Sequence, residues 1–350
     1  DETRQSLLPN ALSRLGPGVT WYDVDGDGDE DLLVPSGKGG RLGFYRNEGG
    51  RFTDLSQRFP VAALDQTVAL PVPGPFGVTI LIGQSNYEAA SPEAALAASA
   101  VLSVSVEGGP WSEAVGGDRS SAGALATADI DGDGDLDLFV GGRFVPGAYP
   151  VAARSRLFLN EEGAYVSDVS NRAVLESIGL VSAATFSDID GDGDPDLVLA
   201  REWDALELLR NDDGVFRAVG SSWGLAELHS RWNGVAVGDL DGDGRLDIVA
   251  TSWGRNTRFA PAPERPLLLY FGDLDRNGSL DVLRAQRDAR VDRIYPLEPL
   301  PRLLGAMPFL GQRVSSFSAF ASAGVQELFG AALTSAVRLV ADTYEHTLFL

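Results

Sequence analysis

One nine-residue stretch constrains this chain more than any other: D-V-D-G-D-G-D-E-D, from Asp23 to Asp31. It returns as D-I-D-G-D-G-D-L-D (Asp129 to Asp137), D-I-D-G-D-G-D-P-D (Asp188 to Asp196) and D-L-D-G-D-G-R-L-D (Asp239 to Asp247). A looser copy, D-L-D-R-N-G-S-L-D, runs from Asp273 to Asp281. Carboxylates crowded into nine residues repel one another, so such a loop is costly unless a cation sits among them. A solvated acidic turn is the bland alternative for one copy, but not for five in one register. Oxygen donors without His or Cys select a hard cation, and a ligand number of six to eight suits calcium.

Positions 1, 3 and 5 offer side-chain oxygens: Asp23, Asp25, Asp27; Asp129, Asp131, Asp133; Asp188, Asp190, Asp192; Asp239, Asp241, Asp243; and Asp273, Asp275, Asn277. Gly at position 6 permits a sharp turn. Position 7 varies (Asp29, Asp135, Asp194, Arg245, Ser279), which suits a ligand that gives only its backbone carbonyl. Position 9 is always Asp (Asp31, Asp137, Asp196, Asp247, Asp281) and is read as closing the cage. The expected cofactor is therefore Ca2+, four ions in the full loops and a fifth in the Asp273–Asp281 loop, which has one carboxylate fewer.

An EF-hand would need Glu at position 12 and a helix beyond it. Position 12 is Val34, Val140, Leu199, Ala250 and Arg284, and the following residues (D-L-L-V, D-L-F-V, D-L-V-L, D-I-V-A) read as strand. The loop thus joins two β-strands.

Spacing gives the architecture. The first Asp residues are 106, 59, 51 and 34 residues apart, and 106 is twice 53. A repeat without an acidic loop is expected between the first two, and Thr67 to Gly83 supplies strand, Pro-Gly-Pro turn and strand. Each repeat has a small-residue first strand, an apolar second strand, and a third and fourth strand joined by an Asn-to-Gly turn, as at Leu42–Gly50, Leu157–Gly163 and Leu206–Gly214. Four strands per roughly 50 residues is the pattern of a propeller blade. The fold class expected is all-β: one β-propeller over residues 1–350, incomplete at its C-terminus.

Residues 285–335 break the period. Ser316 to Phe329 reads as one helix in an insertion packed on the propeller, and the fifth acidic loop is placed between the third and fourth strands of its blade. The stretch from Ala336 to Leu350 resumes the period and aligns with the third strand at Leu157 to Asn160, so more blades are expected beyond Leu350, with room for further domains of the same gene.

Charge narrows the partners. Net charge is −22, but the five loops hold 23 of the 50 acidic residues. The remainder is balanced and has no basic stripe, which argues against nucleic acid. There is no Cys, hence no disulfide framework, and no apolar run long enough to span a membrane. A single Lys against 27 Arg suggests a GC-rich bacterial genome.

The motif D-x-D-G-D-G-x-x-D in blades of this length resembles FG-GAP or VCBS repeats, the calcium-loop propellers related to the integrin α-subunit head. The interruption, with W-G-R-N at Trp253 to Asn256, is similar to bacterial VCBS proteins related to cartilage acidic protein, which often carry an ASPIC/UnbV segment that is not found in these residues. The resemblance implies a secreted or surface-exposed binding, adhesion or scaffolding module with a protein or glycan ligand. A lectin-like or polysaccharide-degrading propeller is the alternative, for which Trp203, Trp223, Trp232 and Trp253 are candidate aromatics. Closed oxygen cages are structural, since catalytic metals keep an open position. G-S-S-W-G (Gly220 to Gly224) fits a nucleophile pattern around Ser222, with His229 nearby, but no strand-to-helix turn is expected there. No catalytic residue is assigned.

Overall fold

The computed structural model describes residues 3–350. Blade one contains β1 (Thr20–Tyr22), β2 (Asp31–Val34), β3 (Gly43–Glu48) and β4 (Arg51–Asp54). Blade two contains β5 (Gln66–Gly74), β6 (Gly77–Gln84), β7 (Val101–Ser105) and β8 (Ser112–Val115). Blade three contains β9 (Ser121–Ala128), β10 (Asp137–Phe144), β11 (Arg156–Glu161) and β12 (Ala164–Ser167). Blade four contains β13 (Val181–Ser187), β14 (Asp196–Asp204), β15 (Glu207–Asp212) and β16 (Val215–Ala218), with β17 (Ser230–Arg231) added to the far end of β14. Each of these sheets is an antiparallel meander in chain order. Blade five begins with β18 (Gly234–Gly238) and β19 (Asp247–Thr251). The protein is a β-propeller.

The first strands β1, β5, β9, β13 and β18 follow one another around an axis. Their small residues, such as S-A-G-A-L-A-T-A in β9, let the backbones crowd together. Successive blades are glued face to face by separate apolar clusters. Leu33 and Phe44 meet Ile80 and Ile82 between blades one and two, and Leu81 and Val101 meet Leu138 and Val140 between two and three. Phe139 and Leu157 meet Leu197 and Leu209 between three and four, and Val198 and Trp232 meet Ile248 and Ala250 between four and five. Each buried Val, Leu, Ile or Phe among them contributes about 1.5–3 kcal/mol. Second strands are covered on both sides, so β10 and β14 each carry a continuous apolar run, Leu138–Val140 and Leu197–Ala200. The outward faces of blades one and five are uncovered: Trp21 and Phe52, 6.1 Å apart and edge to face, lie half-exposed on one, and Leu348 on the other.

After β19 the chain leaves the blade. It builds a sixth sheet from β20 (Leu267–Gly272), β21 (Asp281–Asp288), β22 (Arg293–Pro296) and β23 (Val337–Ala341), ordered β22-β21-β20-β23, then returns as β24 (Thr347–Phe349) against β19. Four expectations are corrected here, one of them only in part. The fifth acidic loop joins β20 and β21, the two middle strands of its sheet, not the third and fourth strands. The final stretch supplies strands to two different sheets: β23 pairs with β20, while β24 is a third strand, as its alignment with Leu157–Asn160 implied, but of blade five, which begins 113 residues earlier at Gly234. Within 285–335 the helices start only at Leu300, because β21 and β22 occupy the earlier part. The single helix read over Ser316–Phe329 is two, Phe317–Ser322 and Val325–Phe329. The break falls at Gly324, whose backbone N–H donates to Glu327 Oε2 at 2.5 Å. A Cβ there would lie 2.8 Å from Arg293 Cγ and 2.9 Å from the Ile294 carbonyl, so the chain turns where only glycine fits.

The sixth sheet is not a blade of the ring. Its first strand, β20, has β23 along the edge that other blades turn toward the axis. Alternate residues of β20 serve two layers. Leu267 and Leu269 pack with Phe144, Tyr149 and Trp203 at the ends of the propeller strands, while Leu268 and Tyr270 pack under Leu303, Met307, Leu328 and Phe329 of the helices.

Candidate metal centres

The loops after β1, β9, β13 and β18 fold alike, and the reason is local. The first Asp accepts backbone N–H bonds on both carboxylate oxygens: Gly26 N to Asp23 Oδ1 at 2.8 Å and Gly28 N to Oδ2 at 2.9 Å, with equivalents at Asp129, Asp188 and Asp239. The residue at position 5 accepts the N–H of position 7, as Asp133 does from Asp135 at 2.9 Å. Glycines at both positions 4 and 6 have positive φ, for example 76° at Gly26 and 92° at Gly28. Sequence reasoning assigned that demand only to position 6. The fifth loop places Arg276 at position 4 with φ 62°, a left-handed conformation costly for a residue with a Cβ.

The predicted ligands come together in part. In each loop three carboxylates offer oxygens within 4.8 Å of one another. The sets are Asp23, Asp25, Asp27; Asp129, Asp131, Asp137; Asp188, Asp190, Asp192; Asp239, Asp241, Asp247; and Asp273, Asp275, Asp281. Asp133 and Asp243 stand outside these groups, and so do Asp31 and Asp196, so position 9 joins the converging carboxylates in only three of the five loops. Asp243 instead receives Arg245 Nε at 2.9 Å and Nη2 at 2.6 Å, so Arg245 neutralises a neighbour with its side chain. At position 7, Asp29 and Asp194 accept N–H bonds from Gly49 and Asp213 in the third-strand turns. Ser279 and Asn277 bond to each other.

Position 9 has a second role that its sequence did not reveal. Asp137 is 1 % exposed; its Oδ2 accepts from Ile130 N at 3.0 Å and its Oδ1 from Asn160 N at 2.8 Å. Asp31 and Asp196 make the same pair of bonds, tying the acidic loop to the third strand. The Asn-to-Gly turn was read as hairpin chemistry alone, yet its Asn is also the donor in this tie: beside its backbone N–H, Asn160 Nδ2 donates to the Leu136 carbonyl at 3.2 Å. Burial, followed by the neighbouring loop carboxylates, raises the pKa values of Asp31, Asp137 and Asp196, and pushes that of Asp281 up to about 6. Buried carboxylates facing other carboxylates are poised for a counter-cation. Among the described residues no Lys or Arg lies within ion-pair distance of the first Asp of any loop. The residues fit a hard divalent ion, which would supply the missing positive charge.

All four ring loops lie on one face. Each leaves the end of an inner strand, and the starts of β5, β9 and β13, with Asn233 before β18, line a common cavity at the opposite end. Of the candidate aromatics, Trp203 and Trp232 are fully buried in packing, whereas Trp223 and Trp253 are 47 % and 40 % exposed. Ser222 sits in an exposed turn and donates to the Val219 carbonyl at 2.8 Å, while His229 Nδ1 faces Asp342 at 3.6 Å.

Residues 188–250 match the family model described as an FG-GAP-like repeat. The matched unit starts at the first Asp of one acidic loop and ends in β19, just past the next, so the repeat is counted from loop to loop. No curated protein sequence matches the chain. Among solved structures it is similar to a putative gluconolactonase, with 17 % identity and a TM-score of 0.38 over 63 % of this chain and 67 % of that one. It is also similar to an Agrocybe aegerita lectin that recognises non-reducing terminal N-acetylglucosamine, with 16 % identity and a TM-score of 0.40 over 93 % and 71 %. Neither likeness bears on ligand or activity.

Proposed function

We propose that this chain is a calcium-stabilised β-propeller that works as a binding module outside the cytoplasm. One observation carries the reading: five loops of the same acidic register, in each of which three carboxylates converge without a Lys or Arg at the first Asp. Asp23, Asp129, Asp188, Asp239 and Asp273 would hold the ions together with their position 3 partners. Extracellular calcium modules are tuned to roughly 10⁻⁴–10⁻³ M, well above cytosolic free calcium. No helix among the described residues is long and apolar enough to cross a membrane.

The module is read as non-catalytic, with a protein or glycan as partner and nucleic acid disfavoured by the acidic surface. Ser222 and His229 support this, since each is engaged with a different group. The uncovered faces of blades one and five would accept a further sheet. The test is metal analysis of protein purified in calcium, followed by thermal unfolding with calcium and with EDTA. Four or five bound ions and a large fall in Tm on chelation are expected. A metal-free protein with an EDTA-insensitive Tm would reject the reading.

A further inference from the structure

The end of the propeller opposite the acidic loops holds an axial cavity of about 950 Å³. That is within the range of small-molecule sites, about 300–1,000 Å³. Its walls are the small-residue starts of the inner strands, and the N-terminal segment 10–18 runs along one side. The charge is unlike that of the rest of the molecule. Net charge overall is −22, yet the titratable residues on the cavity wall are Arg14, Arg143, Arg231 and Asp65.

Behind the wall lies a built cluster. Glu202 is 4 % exposed and takes Arg231 Nε at 2.7 Å and Arg143 Nη1 at 3.0 Å. Arg231 is clamped between the Trp203 ring at 5.2 Å and the Trp253 ring at 3.8 Å, and donates to Asn10 Oδ1 at 2.5 Å. The Arg143 stem reaches the cavity past Gly123, where a Cβ would lie 2.9 Å from Arg143 Cβ. Two guanidiniums against one buried carboxylate leave one positive charge in excess. Arg14 is exposed and makes no hydrogen bond or ion pair with its guanidinium among the described residues; Asp65 balances it in charge. The wall as a whole is therefore short of one negative charge.

We propose that this cavity binds a small monoanionic carboxylate of the sugar-acid class. Arg143 presents its remaining N–H groups as a fork to the carboxylate, and Arg14 guides it at the mouth. One excess positive charge matches a carboxylate better than a doubly charged phosphate. Thr67 and Ser182 donate their hydroxyl protons to the Gly123 and Trp232 carbonyls and so face the cavity as acceptors; with Ser85, the amide of Asn233 and the half-exposed Trp253 they offer polar and flat apolar contacts to a hydroxylated ring. The proposal rests on the reading of the chain as a binding module, but not on occupancy of the acidic loops.

The experiment is titration calorimetry of the calcium-loaded chain with galacturonate, galactose and inorganic phosphate. Galacturonate is expected to bind one to one, galactose at least about tenfold more weakly, since the lost charge-assisted bonds are each worth more than 1.4 kcal/mol. Arg143→Lys keeps a charge for Glu202 but loses the fork, and Arg14→Gln touches no buried partner; each is expected to weaken galacturonate about tenfold or more, Arg14→Gln with Tm unchanged and Arg143→Lys with a lowered Tm, because it disturbs the pair with buried Glu202. Absence of galacturonate binding, equal binding of galactose, tighter binding of phosphate, or unaltered affinity in both variants would overturn the proposal. A Tm scan with EDTA on the same preparation separates the two readings. Calcium dependence without galacturonate binding sinks only the cavity assignment, and galacturonate binding without calcium dependence sinks only the metal reading.

Discussion

Blades two and three are neighbours with the same four-stranded meander, yet they turn their first hairpins differently. In blade two, β5 and β6 pair up to Gly74 and Gly77, and only Pro75 and Phe76 connect them. Phe76 projects wholly into solvent. In blade three the strands stop at Ala128 and restart at Asp137, and the acidic loop fills the gap. The packing between the two blades is nevertheless continuous, with Val72, Leu81 and Val115 set against Ala122, Leu125 and Leu138. The sheet and its apolar contacts therefore do not need the loop. The loop adds a clasp that joins the first hairpin to the third strand through Asp137, at the cost of concentrated charge.

The largest effect that could break this comparison is chelation. Each calcium site held at a hundred times its Kd stabilises the fold by about 2.7 kcal/mol. EDTA should lower Tm, and hydrogen exchange should then rise at residues 129–137 while the 74–77 turn stays as protected as before. Equal loss at both turns would mean that the loops are not separate clasps. Next comes Asp137→Ala, which orphans Ile130 N and Asn160 N. It should cost on the order of 3 kcal/mol in urea unfolding even with EDTA present. If the loss vanishes in EDTA, Asp137 acts only through the metal.

Backbone strain gives a smaller contrast. Gly132→Ala, at φ 76°, should destabilise by about 1 kcal/mol, and Arg276→Gly, relieving φ 62° in the fifth loop, should stabilise by a similar amount. Calcium titration of Arg276→Gly sharpens this, because a relaxed loop should bind more tightly. The smallest effect is a control outside both blades. The Asp342 carboxylate facing its Nδ1 raises the pKa of His229 above its ordinary value. Its folded pKa is the higher one, so the stabilisation is complete below about 6.5 and fades as pH rises through the folded value. The Tm difference between the wild type and His229→Gln should shrink from about pH 5.5 to about pH 8.5, by the same amount with and without calcium. A pH trend present only with calcium would link His229 to the loops after all.

The acidic register, the small first strands, the Asn-to-Gly turns and the missing loop of the second repeat are all set by residues within a few positions of one another. A sequence displays such features directly, and the blades and candidate ligands were legible for that reason. Some signals were present but carried two meanings. The bulk of L-L-L-Y-F in β20 departs from the Gly/Ala pattern of the axial strands, and it marks a sheet buried on both faces away from the axis. Position 9 reads as a ligand, yet its carboxylate is also the hub for two backbone N–H groups from different strands.

What the amino-acid order determined was the repeating hairpin and its charge, because turn geometry and alternation are local properties. The tertiary structure decided which strands closed which sheets. β23 seals the edge of β20 and β24 completes blade five, pairings across distant sequence that depend on available edges. It also decided that Arg14, Arg143 and Arg231 meet around one cavity, since residues that far apart become neighbours only when the inner strands converge on an axis.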